Sequence, residues 1–292
     1  MQTLSNDGLT VRISRFGAEL QSIVKDGHEY LWQGDPEFWG RRSPVLFPIV
    51  GNVYEGRFRV GGREYRMGQH GIARDLDFEL VSCSDTKAVY RLESSEESLE
   101  KYPWPFVLEI TYVLDGNCLE VIWDVRNPGN EDMWFQIGAH PAFYYPDYDP
   151  QKPERGFFVF DKPADIECVS LDLNKGCARP DVRYPLPLSE DGILPLNSTT
   201  FDEVDTFVIE DSQVGKVAFL RPDRSPYLTV TFDAPLLGLW SPPHRNAPFV
   251  CIEPWYGRCD RSPFEGEFCR KDWINRLAPG ESFHAAYTVE IA

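Results

Sequence analysis

Acid–base chemistry needs a group that gives up a proton and a group that takes one, held near each other. The chain has only five histidines, His28, His70, His140, His244 and His284. Two of them stand in unusual settings. His70 lies in Gln69-His70-Gly71-Ile72-Ala73-Arg74-Asp75, and His140 lies in Ile137-Gly138-Ala139-His140-Pro141-Ala142-Phe143. Each sits beside a glycine or proline at an expected strand end, where rigid scaffolds display binding groups. A third setting is Phe249-Val250-Cys251-Ile252-Glu253-Pro254-Trp255. Period-2 spacing puts Phe249, Cys251 and Glu253 on one face of a strand. If that face is buried, desolvation raises the pKa of Glu253 and makes it a stronger base near neutral pH.

Each residue also has a plainer reading. His70 and His140 fit loop or core histidines with satisfied hydrogen bonds. Glu253 fits a strand-end carboxylate paired with Arg258, and Arg74 fits a partner for Asp75 or Asp77. His28 follows a turn and is expected to be exposed. His244, in a proline-flanked loop, and His284, in the last strand, read as structural. The histidines lack HxH or HExxH spacing, so no metal site is expected. The seven cysteines are odd in number and scattered without CxxC or zinc spacing, which suits reduced thiols.

These residues must be carried by strands. In 106–127, Leu108, Ile110, Tyr112 and Leu114 alternate on one face. After Asp115-Gly116-Asn117, Leu119, Val121, Trp123 and Val125 alternate again. That pattern predicts a β-hairpin. Similar runs begin near Leu9, Ala18, His28, Asp77, Lys87, Tyr227, Phe249 and Phe283. Helical periodicity is scarce, and residues 94–102 predict one short helix capped by Ser94 or Ser95. Asp26-Gly27 and Gly61-Gly62 are turn signals. Many short strands between turns predict a large antiparallel β-sandwich. No βαβ pattern or phosphate-cradling glycine loop supports a nucleotide-dependent enzyme.

The 292 residues carry 46 acidic and 29 basic side chains, a formal charge of -17. Such a field repels polyanions, which argues against a nucleic-acid partner. No polybasic run suits an anionic membrane surface. No apolar stretch reaches the ~20 residues of a spanning helix, and the N-terminus does not read as a signal peptide. A cytoplasmic protein without membrane or nucleic-acid partners is expected.

Several segments occur in a telling order: RRSPVLFPIVGNV (41–53), QHGIARD (69–75), IGAHPAFYYP (137–146), FDEVDTFVIED (201–211) and LGLWSPPHRNAPFVCIEPWYGRCD (237–260). Together they resemble the aldose 1-epimerase family, in particular its LacX-type branch, over most of the chain. The resemblance implies an all-β, galactose-mutarotase-like supersandwich of antiparallel strands with few short helices, forming one domain over residues 1–292. It implies cofactor-independent interconversion of the α and β anomers of an aldose, by a monomer or homodimer. By motif, Glu253 matches the family's base and His140 its acid. His70 matches the second, substrate-binding histidine, and Asp205 a sugar-binding aspartate. Many members have an arginine after the glycine that follows the LFP-type segment. Asn52 stands there in this chain, so Arg42 or Arg74 is expected to supply that contact. Arg41, Arg42 and Arg74 also resemble arginines of hexose-6-phosphate 1-epimerases, which keeps a phosphorylated substrate in view. A non-catalytic carbohydrate-binding protein is the remaining alternative.

Overall fold

Alternating apolar and polar residues become the two faces of a sheet. Strands Val107–Asp115 and Cys118–Arg126 pair antiparallel from Val107↔Arg126 to Asp115↔Cys118. Gly116 in the two-residue loop takes a left-handed conformation, with φ 55°. All eight alternating apolar residues of this hairpin are buried.

The computed structural model describes residues 1–162 and 165–292. Two large antiparallel sheets dominate it. The first has nine strands, in the order Ile193–Asn197, Glu154–Phe160, Lys216–Leu220, Pro226–Phe232, Ser282–Ile291, Cys118–Arg126, Val107–Asp115, Lys87–Glu93 and Glu79–Cys83. The second runs Cys177–Pro185, Glu167–Asp172, Thr206–Ile209, Leu236–Trp240, Phe249–Tyr256, Ile137–Ala139 and Val45–Leu46. Strand Ala142–Tyr144 also pairs with Phe249–Tyr256. A four-stranded sheet covers the N-terminal 29 residues. Ile110, Val121 and Val289 of the first large sheet share one core with Phe207, Leu239, Val250 and Ile252 of the second. The predicted sandwich is therefore present.

Helix is scarce, as expected. The one α-helix among the described residues is Glu96–Lys101, and Ser95 caps it in a reciprocal box with Ser98. Among the described residues, no helix is long and apolar enough to cross a membrane.

Strand Phe249–Tyr256 is buried on both faces. Val250 and Ile252 point into the core between the sheets. Phe249 and Cys251 pack on the other face with Trp32, Trp39 and Trp240. Glu253 follows at the same period, so the core-forming strand also delivers an acid to the far side of its sheet. Several other strands carry no clear alternation, and the sequence pattern does not reveal them. Cys177–Pro185 is one, an edge strand whose burial pattern is largely exposed and irregular.

Candidate active site

The far face of the second sheet forms the floor of a cleft of about 440 Å³. Glu253 comes from strand Phe249–Tyr256. His140 lies between the short strands Ile137–Ala139 and Ala142–Tyr144, both of which pair with that same strand. The pairing brings His140 Nδ1 to 3.4 Å from Glu253 Oε1. His70 enters from the loop before Gly71, with its ring centroid 5.4 Å from that of His140. Asp205 lies just ahead of strand Thr206–Ile209. Asn52 and Arg74 also line the cleft.

Glu253 is 1% exposed. Its Oε2 accepts a hydrogen bond from Trp255 Nε1 at 3.2 Å. Burial holds its carboxyl well above the ordinary 4.5; the tryptophan bond opposes that shift, and the negative charge of Asp205 adds to it. The sequence-based alternative partner, Arg258, is engaged elsewhere, with Glu210 and Asp272.

The indole of Trp255 can reach Glu253 because two glycines make way for it. A Cβ on Gly238 would lie 2.3 Å from the indole ring, and one on Gly138 2.7 Å from it. Gly238 is the register partner of Glu253, and Gly138 of Trp255. The glycines of LGLW and IGAHP thus form a slot for the side chain that orients the acid.

His140 lies between aromatic rings. Trp39 stacks on it with centroids 4.7 Å apart, and Trp240 meets it edge-on at 5.4 Å. Its Nδ1 is buried and makes no hydrogen bond. Burial, helped by Arg74 and Arg41, pushes its pKa down to about 3. A nearby carboxylate alone favours imidazolium. In this site burial and the two arginines outweigh it and favour the neutral imidazole.

His70 Nδ1 accepts a hydrogen bond from the backbone N–H of Gly51 at 3.1 Å. A neutral ring that accepts at Nδ1 carries its proton on Nε2. Burial, then His140, Arg74 and Arg41, hold its pKa well below 6.5. His70 is therefore a neutral donor. Asp205 adopts φ 61°, and Thr206 Oγ1 donates to its Oδ2 at 2.7 Å.

Arg74 lines the cleft and donates to the carbonyl of Gln69 at 2.6 Å. Burial and neighbouring Arg41 lower its pKa to about 10, against the opposing pull of Asp75 and Glu19. Arg42 does not meet the expectation of a cleft contact. Its guanidinium bonds the side chain of Gln21 and the carbonyl of Gln33, bracing a loop outside the cleft lining. Asn52 lines the cleft, but its amide nitrogen donates to the carbonyl of Gly176 at 3.2 Å, tying down a rim turn.

Three cleft residues escaped the sequence reading. Trp39 carried no motif signal, because its loop reaches His140 only in three dimensions. Asp202 and His244 sit at the mouth, where the backbone N–H of His244 donates to Asp202 Oδ1 at 2.7 Å. The proline-flanked loop had suggested a structural role for His244. Among the aromatic residues near the site, Trp240 and Trp255 line the cleft, whereas Trp32 and Phe143 are buried outside its lining.

The chain is similar to known proteins over its whole length. The family model for aldose 1-epimerase matches residues 1–290. Protein LacX of Lactococcus lactis subsp. lactis is 30% identical over 99% of this chain and 98% of its own length. A galactose mutarotase related enzyme from Lactobacillus acidophilus superposes with a TM-score of 0.92 at 31% identity, covering 100% of this chain and 97% of that one. A galactose mutarotase-like protein from Lactobacillus casei gives 0.91 at 29% identity over the full length of both chains. The chain belongs to the aldose 1-epimerase family.

Proposed function

We propose that this protein interconverts the α and β anomers of an aldose by opening and closing the sugar ring. The observation that carries the reading is the approach of His140 Nδ1 to within 3.4 Å of Glu253 Oε1 on the floor of a cleft that also holds His70 and Asp205. A binding module has no need of such a dyad.

The reaction needs one proton on the buried pair. Burial raises the carboxyl and lowers the imidazole, which favours that proton on Glu253. Passing that proton from Glu253 to His140 creates a carboxylate base and an imidazolium acid at once. A sugar whose C1 hydroxyl donates to Glu253 favours this ionic form, because it solvates the carboxylate.

Glu253 then takes the C1 hydroxyl proton, and His140 gives its proton to the ring oxygen. The bond between C1 and the ring oxygen breaks, and C1 becomes an aldehyde. Rotation about C1–C2 presents the other aldehyde face. In closure, the former ring oxygen attacks C1 and returns its proton to His140, while Glu253 reprotonates the C1 oxygen. No atom or charge is left over. Both reacting oxygens are bonded to one carbon, which suits an acid and a base lying side by side. His70 Nε2–H and the carboxylate of Asp205 serve as donor and acceptor for sugar hydroxyls, and Arg74 as a further donor.

The test is polarimetry of freshly dissolved α-D-glucose and α-D-galactose. Enzyme should speed the approach to anomeric equilibrium, and Glu253→Gln should remove most of that acceleration while keeping the fold. Unchanged kinetics for every free and phosphorylated aldose tried would reject the reading.

A phosphorylated aldose is the second reading. Arg41 and Arg74 lie close enough to share the exposed carboxylate of Asp75, and Arg74 lines the cleft. A kcat/KM for glucose 6-phosphate well above that for glucose would favour it.

A further inference from the structure

We propose that His140, Cys251 and Glu253 form a binding site for Zn2+, and that the metal competes with the sugar for the acid–base pair. Cys251 lies two residues before Glu253 on the same strand face, and its register partner is Ala142, two residues after His140. A ring nitrogen of His140, the Cys251 sulfur and a Glu253 oxygen all lie within 4.8 Å of one another. Their residues are 7%, 0% and 1% exposed. His140 Nδ1 is a buried nitrogen that makes no hydrogen bond, and its nearest acidic neighbour is Glu253.

The donor set selects the metal. One imidazole, one thiolate and one carboxylate suit zinc, which takes nitrogen, sulfur and oxygen ligands in tetrahedral geometry. Calcium and magnesium prefer oxygen ligands alone. Three protein ligands leave a fourth position, which faces the cleft because His140 and Glu253 line it. Small inward shifts of the side chains bring the three atoms onto one ion. Binding releases the Cys251 thiol proton and the proton shared by the dyad to solvent. The two anionic ligands then balance the charge of the metal.

A bound zinc would occupy the lone pairs that the proposed reaction uses. The inhibition part of the inference therefore rests on the epimerase reading, whereas metal binding does not.

The experiment uses the full chain in a His284→Asn background, which removes an exposed histidine–carboxylate pair outside the cleft lining as a competing site. Zn2+ is titrated by calorimetry, Co2+ is added as an absorbing substitute, and mutarotation is followed in the same samples. One Zn2+ per chain is expected, together with a thiolate-to-cobalt charge-transfer band. Cys251→Ser should abolish that band and weaken Zn2+ binding by more than about 100-fold, beyond the effect of outer-shell changes. The Zn2+ concentration that halves the rate should rise in step. Circular dichroism and urea unfolding show whether the variant is folded, and Cys251→Ala provides a second replacement. A cobalt spectrum without the thiolate band, or equal Zn2+ affinity in folded Cys251→Ser, overturns the site. A thiolate band in a protein without mutarotation supports the site and rejects the epimerase reading. Mutarotation indifferent to Zn2+ in a protein lacking the band rejects the site alone.

Discussion

The indole of Trp39 lies face to face with the imidazole of His140, centroids 4.7 Å apart and planes 27° from parallel. The stacking does two things. It helps to bury the imidazole, which favours the neutral form. It also offers an electron-rich face to the imidazolium that must form when His140 acts as the acid. The indole is thus well placed to lower the cost of protonating His140 as the sugar ring opens.

Trp39→Leu should lower kcat for mutarotation roughly tenfold, the size expected from losing a partly desolvated cation–π contact of about 1–2 kcal/mol. Trp39→Phe should recover part of that loss. Polarimetric kcat and KM for the three proteins decide it. A change in KM alone would make Trp39 a sugar platform instead of a partner for His140.

The dyad predicts two opposing pH dependences of stability, measured by urea unfolding with a chelator present. The folded pKa of His140 is about 3, against 6.5 for an ordinary histidine. Between those values the unfolded chain binds more protons, so this contribution is lost as pH falls below 6.5. Glu253 is shifted upward from 4.5, so its contribution is present at low pH and lost as pH rises above 4.5. Glu253→Gln should expose the histidine slope, up to about 1.4 kcal/mol per pH unit. His140→Gln should expose a slope of the opposite sign. Matching slopes in the two variants would contradict the assignment.

The same shift bears on activity. The proposed reaction starts from a dyad that holds one proton, and loss of that proton leaves no acid. The rate should therefore fall as pH rises through the raised pKa of Glu253 in the free enzyme. A basic limb of kcat/KM within the ordinary carboxylate range, near 4.5, would mean that burial does not control this group.

Gly238→Ala should drive a methyl group into the Trp255 indole and break its bond to Glu253. The expected cost is about 1–3 kcal/mol of stability from overpacking, together with a fall in kcat. Unfolding curves and polarimetry on one preparation separate the two effects. Full activity at reduced stability would show that the Trp255 bond does not tune the base.

Lys271 Nζ and Asp260 Oδ1 form an ion pair at 2.6 Å, with side chains 0% and 1% exposed. The other Asp260 oxygen accepts the backbone N–H of Tyr54. Lys271→Met leaves a buried carboxylate without its counter-charge and should cost about 3–5 kcal/mol. The urea midpoint measures it. A loss below 1 kcal/mol would show that solvent reaches Asp260 in the variant.

Much of the fold was legible wherever alternation was strong. The hairpin of 107–126 appears with its turn and buried face as read, because one side of each strand meets the core and the other meets water. The edge strand Cys177–Pro185 was not legible, since its side chains sort less cleanly between two environments. The shared face of Phe249, Cys251 and Glu253 followed from period 2, whereas the approach of Cys251 to His140 required the pairing of Ala142 with Cys251.

The sequence by itself singled out His70, His140 and Glu253 by their settings, and the family resemblance added Asp205. It also determined that strands would carry them. Tertiary structure alone decided that Arg42 braces a loop while Arg74 reaches the cleft, that Asn52 ties down a rim turn, and that Trp39 covers His140. It also set the directions in which the two pKa values of the dyad shift. A pKa depends on how much water and which charges surround a group, and those surroundings are assembled from distant parts of the chain only when the sheets pair.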